Sequence, residues 1–142
     1  MATATFQKYE KAIIDFAAGT HAACLNADTD TLKVALSNTA PDLVNDIVFS
    51  TDAAEIAAGN GYTAGGDDIT NTATRTTSVI TVVGQDLVIL ASGGPIAQWR
   101  YVVLYNSTND KLIGVFDYGS AVDLADGEQV TIDFGAVLFT LG

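Results

Sequence analysis

Residues able to do acid–base, nucleophilic or metal chemistry are scarce in this chain. His21 and Cys24 are its single histidine and single cysteine, three apart, whereas a metal site takes three or four ligands. Neither a Gly-x-Ser-x-Gly elbow nor a second histidine is present to build a catalytic triad. General acid–base catalysis by paired carboxylates in a cleft has no motif behind it either. The pair reads as structural and the chain as a non-enzyme that needs no cofactor.

The acidic clusters are weak as cation sites. Asn26-Ala27-Asp28-Thr29-Asp30 has the alternating oxygens that open a calcium loop, but counting from Asn26 puts Thr31 where the loop needs Gly and Ser37 where it needs Glu. Asp67-Asp68 and Asp126 with Glu128 fall in turn-like stretches, where acidic residues are ordinary surface. The glycines of Gly59-Asn60-Gly61-Tyr62 and Gly65-Gly66 match neither phosphate-binding fingerprint, so they predict a turn. Trp99, Tyr101 and Tyr105 recur at period two. That stripe is the inner face of a sheet or, if exposed, a platform on which sugars would stack; the core reading carries more weight because Val and Ile partners are abundant.

The elements that would position these groups follow from periodicity. Phe6, Tyr9, Ile13 and Phe16 lie three and four apart, which predicts an amphipathic helix over 6–18 with Gly19 as its stop. This stripe covers the protein's own sheet, the favoured reading because a lone sandwich gains from a covered face, or is the candidate contact with an oligomer partner or a shell. Leu32, Val34 and Leu36 alternate with Lys33, Ala35 and Ser37, the first strand. The stretch 46–58 is undecided between a helical turn and a loose strand, and 60–68 is a loop. Thereafter strand follows strand: Thr70 to Val83, Leu87 to Ala91, a strand carrying Trp99 to Tyr105, a hairpin partner from Lys111 to Tyr118, Ala121 to Leu124, and segments around Val130 and Phe139. Short strands divided by polar turns predict a mainly β chain, an antiparallel sandwich of jelly-roll type with one N-terminal helix. One domain over 1–142, with its β body at 31–142, accounts for the length.

Composition narrows the partners. Hydrophobic residues make up 49%, and 6 Lys+Arg against 17 Asp+Glu give a net charge of −11. Without a basic patch, nucleic acid and anionic membranes are poor partners. The longest apolar runs fall far short of the roughly 20 residues that span a bilayer. The opening residues lack a basic region and apolar core, which with one cysteine predicts folding in a reducing cytoplasm.

Several segments resemble a family of small proteins encoded among the virion genes of tailed bacteriophages. They are Phe6-Gln7-Lys8-Tyr9-Glu10-Lys11, Asp15 to His21, Leu32 to Pro41 and Glu55 to Tyr62. In the second half they are Trp99-Arg100-Tyr101-Val102-Val103-Leu104-Tyr105-Asn106, Leu112 to Gly119 and Asp126-Gly127-Glu128. The resemblance implies a phage structural protein made in the host cytoplasm and carried on the virion. It favours capsid decoration, or cement, on the head exterior, with the major capsid protein and copies of itself (a dimer or trimer) as partners. A tail, neck or fibre-attachment component is the alternative, and a module for host-surface carbohydrate the second alternative. A negative exterior keeps particles apart and suits the outside of a head better than its DNA-filled interior.

Overall fold

The computed structural model describes residues 5–18 and 30–141. In chain order these form β1 (Thr5–Lys8), α1 (Glu10–Ala17), β2 (Leu32–Ser37), α2 (Phe49–Asp52), β3 (Asp67–Asp68), β4 (Thr72–Thr76), β5 (Val79–Val83), β6 (Leu87–Leu90), β7 (Ile96–Asn106), β8 (Lys111–Leu124), β9 (Gln129–Ile132) and β10 (Phe139–Leu141). The chain is mainly β with antiparallel sheets, as its periodicity predicts. A five-stranded sheet has the order β1-β8-β7-β2-β3, faced by a three-stranded sheet β10-β5-β4 and a two-stranded sheet β6-β9.

The large sheet is covered on both sides. Leu32, Val34, Leu36, Trp99, Val102, Leu104 and Phe116 point into the sandwich, where they meet Val82, Ile89, Ile132, Phe134 and Phe139 from the smaller sheets and their loops. Ala35, Tyr101, Val103, Tyr105, Leu112 and Val115 point the other way, under Tyr9 and Ala12 and under Phe49 of α2. A strand buried on both faces has no polar side to alternate with. This is why Tyr101 to Tyr105 reads as one unbroken apolar run.

The predicted helix over 6–18 begins only at Glu10. Phe6 belongs to β1, whose residues pair from Thr5 opposite Asp117 to Lys8 opposite Gly114. A strand followed by a helix mimics helical spacing here, because Phe6 and the inward face of α1 turn toward the same body. With eight residues α1 is too short to persist alone, so it is held by packing rather than propensity.

Two further boundaries differ from expectation. Thr70 to Val83 is a hairpin: β4 and β5 pair from Thr72 opposite Val83 to Thr76 opposite Val79. Its turn places Thr77 at φ 53°, a left-handed conformation that a β-branched residue seldom takes and that no Gly or Asn announces. The expected strands 111–118 and 121–124 are one strand, β8, interrupted by a bulge. Trp99 lies opposite Val122 but Tyr101 opposite Asp117, and Gly119 at φ 78° absorbs the extra residues.

Candidate functional site

The four residues predicted as a contact stripe go to three places. Phe6 is half-buried, its ring 4.8 Å from Phe116 and stacked at 6.2 Å on Phe139. Gly114 makes room for it: a Cβ there would lie 2.4 Å from the Phe6 ring. Phe16 leans on Phe139 from α1, with ring centroids 5.6 Å apart. Tyr9 is buried on the opposite face of the large sheet. Its hydroxyl is pushed well above the ordinary tyrosine range, first by burial and then by the carboxylates of Asp46 and Asp52. Only Ile13 stays at the surface, 57% exposed beside Ile14 at 63%. Three of the four therefore serve the protein's own core, and the inward face of α1 is Tyr9, Ala12 and Phe16.

The aromatic stripe is divided by an irregularity within β7, between Trp99 and Tyr101. Trp99 faces the sandwich core, edge-on to Tyr118 at 5.1 Å. Tyr101 and Tyr105 face the helices. All three are buried, at 0%, 8% and 4% exposure, so no sugar meets them at the surface and the stacking platform is not formed. Tyr105 stacks on Phe49 at 3.8 Å with an interplanar angle of 8°.

A polar network joins Tyr105 to the glycine-rich loop. Its hydroxyl donates to Gly65 O at 2.5 Å, while the Gly65 N–H donates to Glu55 Oε1 at 2.6 Å. Tyr62 Oη donates to the same Glu55 oxygen at 2.6 Å and accepts the Leu36 N–H at 2.9 Å. Burial raises both phenols, Tyr105 to about 12, with the Glu55 carboxylate adding to each shift. Gly66, at φ 73°, lies so close to β2 that a Cβ would fall 1.8 Å from Val34 O. The stretch expected as an open loop is thus a cover for the edge of β2, with Tyr62 and Gly66 buried and Asp67–Asp68 paired to Val34 and Lys33. Sequence reasoning missed the network; the Glu55 to Tyr62 spacing gives no hint that the Tyr62 hydroxyl links Glu55 to the backbone of Leu36.

The acidic residues bind their own turns. Asp52 Oδ2 accepts the Ile47 and Val48 N–H groups at 2.8 Å each, and Asp42 Oδ1 those of Val44 and Asn45 at 3.1 Å. Asp68 holds Thr70 N at 2.8 Å, Asp126 holds Gly93 N at 3.0 Å, and Glu128 holds Ala125 N at 2.8 Å. Asn45 Nδ2, donating to Asp42 Oδ2 at 2.8 Å, and then these backbone N–H groups lower Asp42 below the usual carboxylate range, and the Val48 and Ile47 N–H groups lower Asp52. Asp117 is also lowered, chiefly by Arg100, whose Nε and Nη2 grip it at 2.8 and 3.0 Å.

Among the described residues no three His, Cys, Asp or Glu side chains are grouped to hold a metal ion. Asp30 instead accepts Asn106 Nδ2 at 2.6 Å; His21, Cys24 and the rest of the calcium-like stretch, 26–29, lie outside the described residues. No helix among the described residues is long and apolar enough to cross a membrane. The described carboxylates serve mainly as acceptors for backbone N–H groups and for Arg100. Comparison with known family models, curated proteins and solved structures finds no match to the chain.

Proposed function

We propose that this chain is a non-enzymatic structural protein of a tailed-bacteriophage virion, a head decoration or cement protein that binds the outside of the capsid shell as a homo-oligomer. The observation that supports it is the position of the segments behind the resemblance. Trp99–Asn106 lies in β7, Leu112–Gly119 in β8 and Leu32–Ser37 is β2, the three middle strands of the large sheet. The likeness therefore falls on the part of the chain that sets the architecture.

The physical character of the surface agrees. Cement must hold its shape while it bridges neighbouring shell subunits, and a sheet covered on both faces is stiff. Carboxylates tied to their own turns carry a net charge of −11 without long mobile side chains, which suits an exterior that must stay dispersed. The partners are the major capsid protein and further copies of the chain.

The test is addition of purified protein to phage heads that lack it. Saturable co-sedimentation and a higher temperature for heat-induced DNA release support decoration. Failure to bind heads, with labelled antibody finding the chain at the tail or neck, moves the same fold to the tail-component reading.

A further inference from the structure

A strand's open side presents unpaired N–H and C=O groups to any strand that comes alongside. Most open sides among the described strands are closed. Beyond β3, the loop after α2 bonds β2 directly, Ile56 N to Leu36 O at 3.0 Å. β3 itself is only Asp67 and Asp68. β1 and β10 lie side by side, held by Lys8 Nζ donating to Thr140 O at 2.9 Å and by the Phe6–Phe139 stack, which crowds their outer sides. β6 and β9 run between Asp86, Glu128 and Asp133, so a second copy arriving there would set carboxylate against carboxylate.

β4 is the exception. It ends its sheet, and its outer side bonds to no described residue. No acidic residue lies between Asp68 and Asp86, and the hairpin's one charge is Arg75. In a chain of net charge −11, this is the edge a second copy can approach without setting carboxylate against carboxylate. The residue order is also self-complementary: Thr72-Ala73-Thr74-Arg75-Thr76 run antiparallel on itself sets Thr against Thr at the centre and both ends, and the long Arg75 against the small Ala73. The outward face that results is uncharged, because Thr72, Thr74 and Thr76 lie beside Val83, Thr81 and Val79 of β5.

We propose that two copies of this chain pair through β4, antiparallel about a two-fold axis at Thr74, so that their three-stranded sheets become one continuous sheet. The partner is the chain itself, and the contact is isologous. Its biological role, linking neighbours on a shell, rests on the decoration reading. One five-residue strand pair is a small contact, so free copies associate weakly and the lattice supplies the effective concentration.

The full chain is examined by sedimentation velocity up to about 200 μM, a range chosen for a contact below the usual stable-interface size. The expected result is a reversible dimer that Thr74→Asp weakens at least tenfold, by about 1.4 kcal/mol or more, while Val88→Asp on β6 leaves it unchanged. In a Cys24→Ser background, Thr74→Cys should cross-link copy to copy with a thiol reagent spanning about 5 Å, the distance between facing Cβ atoms, and Thr81→Cys should not. A chain monomeric throughout, a dimer indifferent to Thr74→Asp, or cross-linking equal at both positions overturns the proposal. Head binding is scored separately: a monomer that still coats heads sinks the β4 contact alone, and a β4 dimer that ignores heads sinks the decoration reading alone.

Discussion

Replacing Gly114 by Ala isolates the docking of β1. Gly114 has no left-handed φ, so alanine strains no backbone and the effect is steric. The added Cβ would sit 2.4 Å from two atoms of the Phe6 ring and 2.9 Å from Gln7 O, and must push β1 away from β8. Overpacking of this kind costs about 1–3 kcal/mol. Phe6→Ala alone removes a half-buried ring; halving the usual loss for a fully buried phenylalanine gives about 1.5–2.5 kcal/mol. Independent effects would sum to about 2.5–5.5 kcal/mol. The structure predicts otherwise: once the ring is gone Gly114→Ala meets mainly Gln7 O, so the double variant should lie within about 1 kcal/mol of Phe6→Ala, a coupling of roughly 1–2 kcal/mol. Urea unfolding followed by the single tryptophan, Trp99, buried in the sandwich core, measures all four corners of the cycle. Additivity to within about 0.5 kcal/mol would refute the contact between Phe6 and Gly114 as the reason for glycine at that position.

Other consequences are as direct. Tyr62→Phe strips a partner from both Leu36 N and Glu55 and should cost about 1–3 kcal/mol, with faster amide exchange across 59–66. Asp42, Asp52 and Asp117 titrate below their unfolded values, so the unfolded chain binds more protons as pH falls. Their stabilisation is complete above the unfolded aspartate value near 4 and fades as pH drops through the lower folded values. Asp117→Asn should flatten the acid limb of a stability–pH curve, and a limb unchanged from wild type would contradict the Arg100 pairing. Ile13→Asp with Ile14→Asp should leave urea stability within about 0.5 kcal/mol per site, since both are exposed. A larger loss would mean that this helical face is covered in solution.

Period two and turn residues were enough to predict a mainly β body and the strand at 32–37, where large Leu32, Val34 and Leu36 alternate with Lys33, Ala35 and Ser37 although both faces of the strand are covered. What escaped was set by partners distant in sequence. Phe6 reads as helical until β8 is known to lie beside it, and the undecided stretch near Phe49 becomes helical where that ring stacks on Tyr105. Trp99 and Tyr101 share a stripe by spacing, but the irregularity between them in β7 sends them to opposite faces. Thr77 and Ser78 turn a hairpin without the Gly or Asn that its left-handed φ favours. For the candidate site, the split was similar: the burial of the aromatic stripe follows from its apolar company, whereas the Glu55 network and the open side of β4 depend on which edges other segments happen to close.

The meeting of β1 with β10 has a kinetic side. Lys8 and Thr140 are 132 residues apart, and Phe6 joins Phe139 in the same seam. β2 must likewise wait for β7, its partner from Leu32 opposite Asn106 to Ser37 opposite Tyr101. A topology this rich in distant pairings folds on the slow side, in milliseconds to seconds. During synthesis β1 stays unpaired until β8 has left the ribosome, and its ring stays half-docked until β10 follows. Loss of the last strand would strip Phe6 of Phe139 and Lys8 of Thr140 while leaving the β1–β8 ladder, so a truncation near Phe139 should loosen the first strand as well as trim the tail.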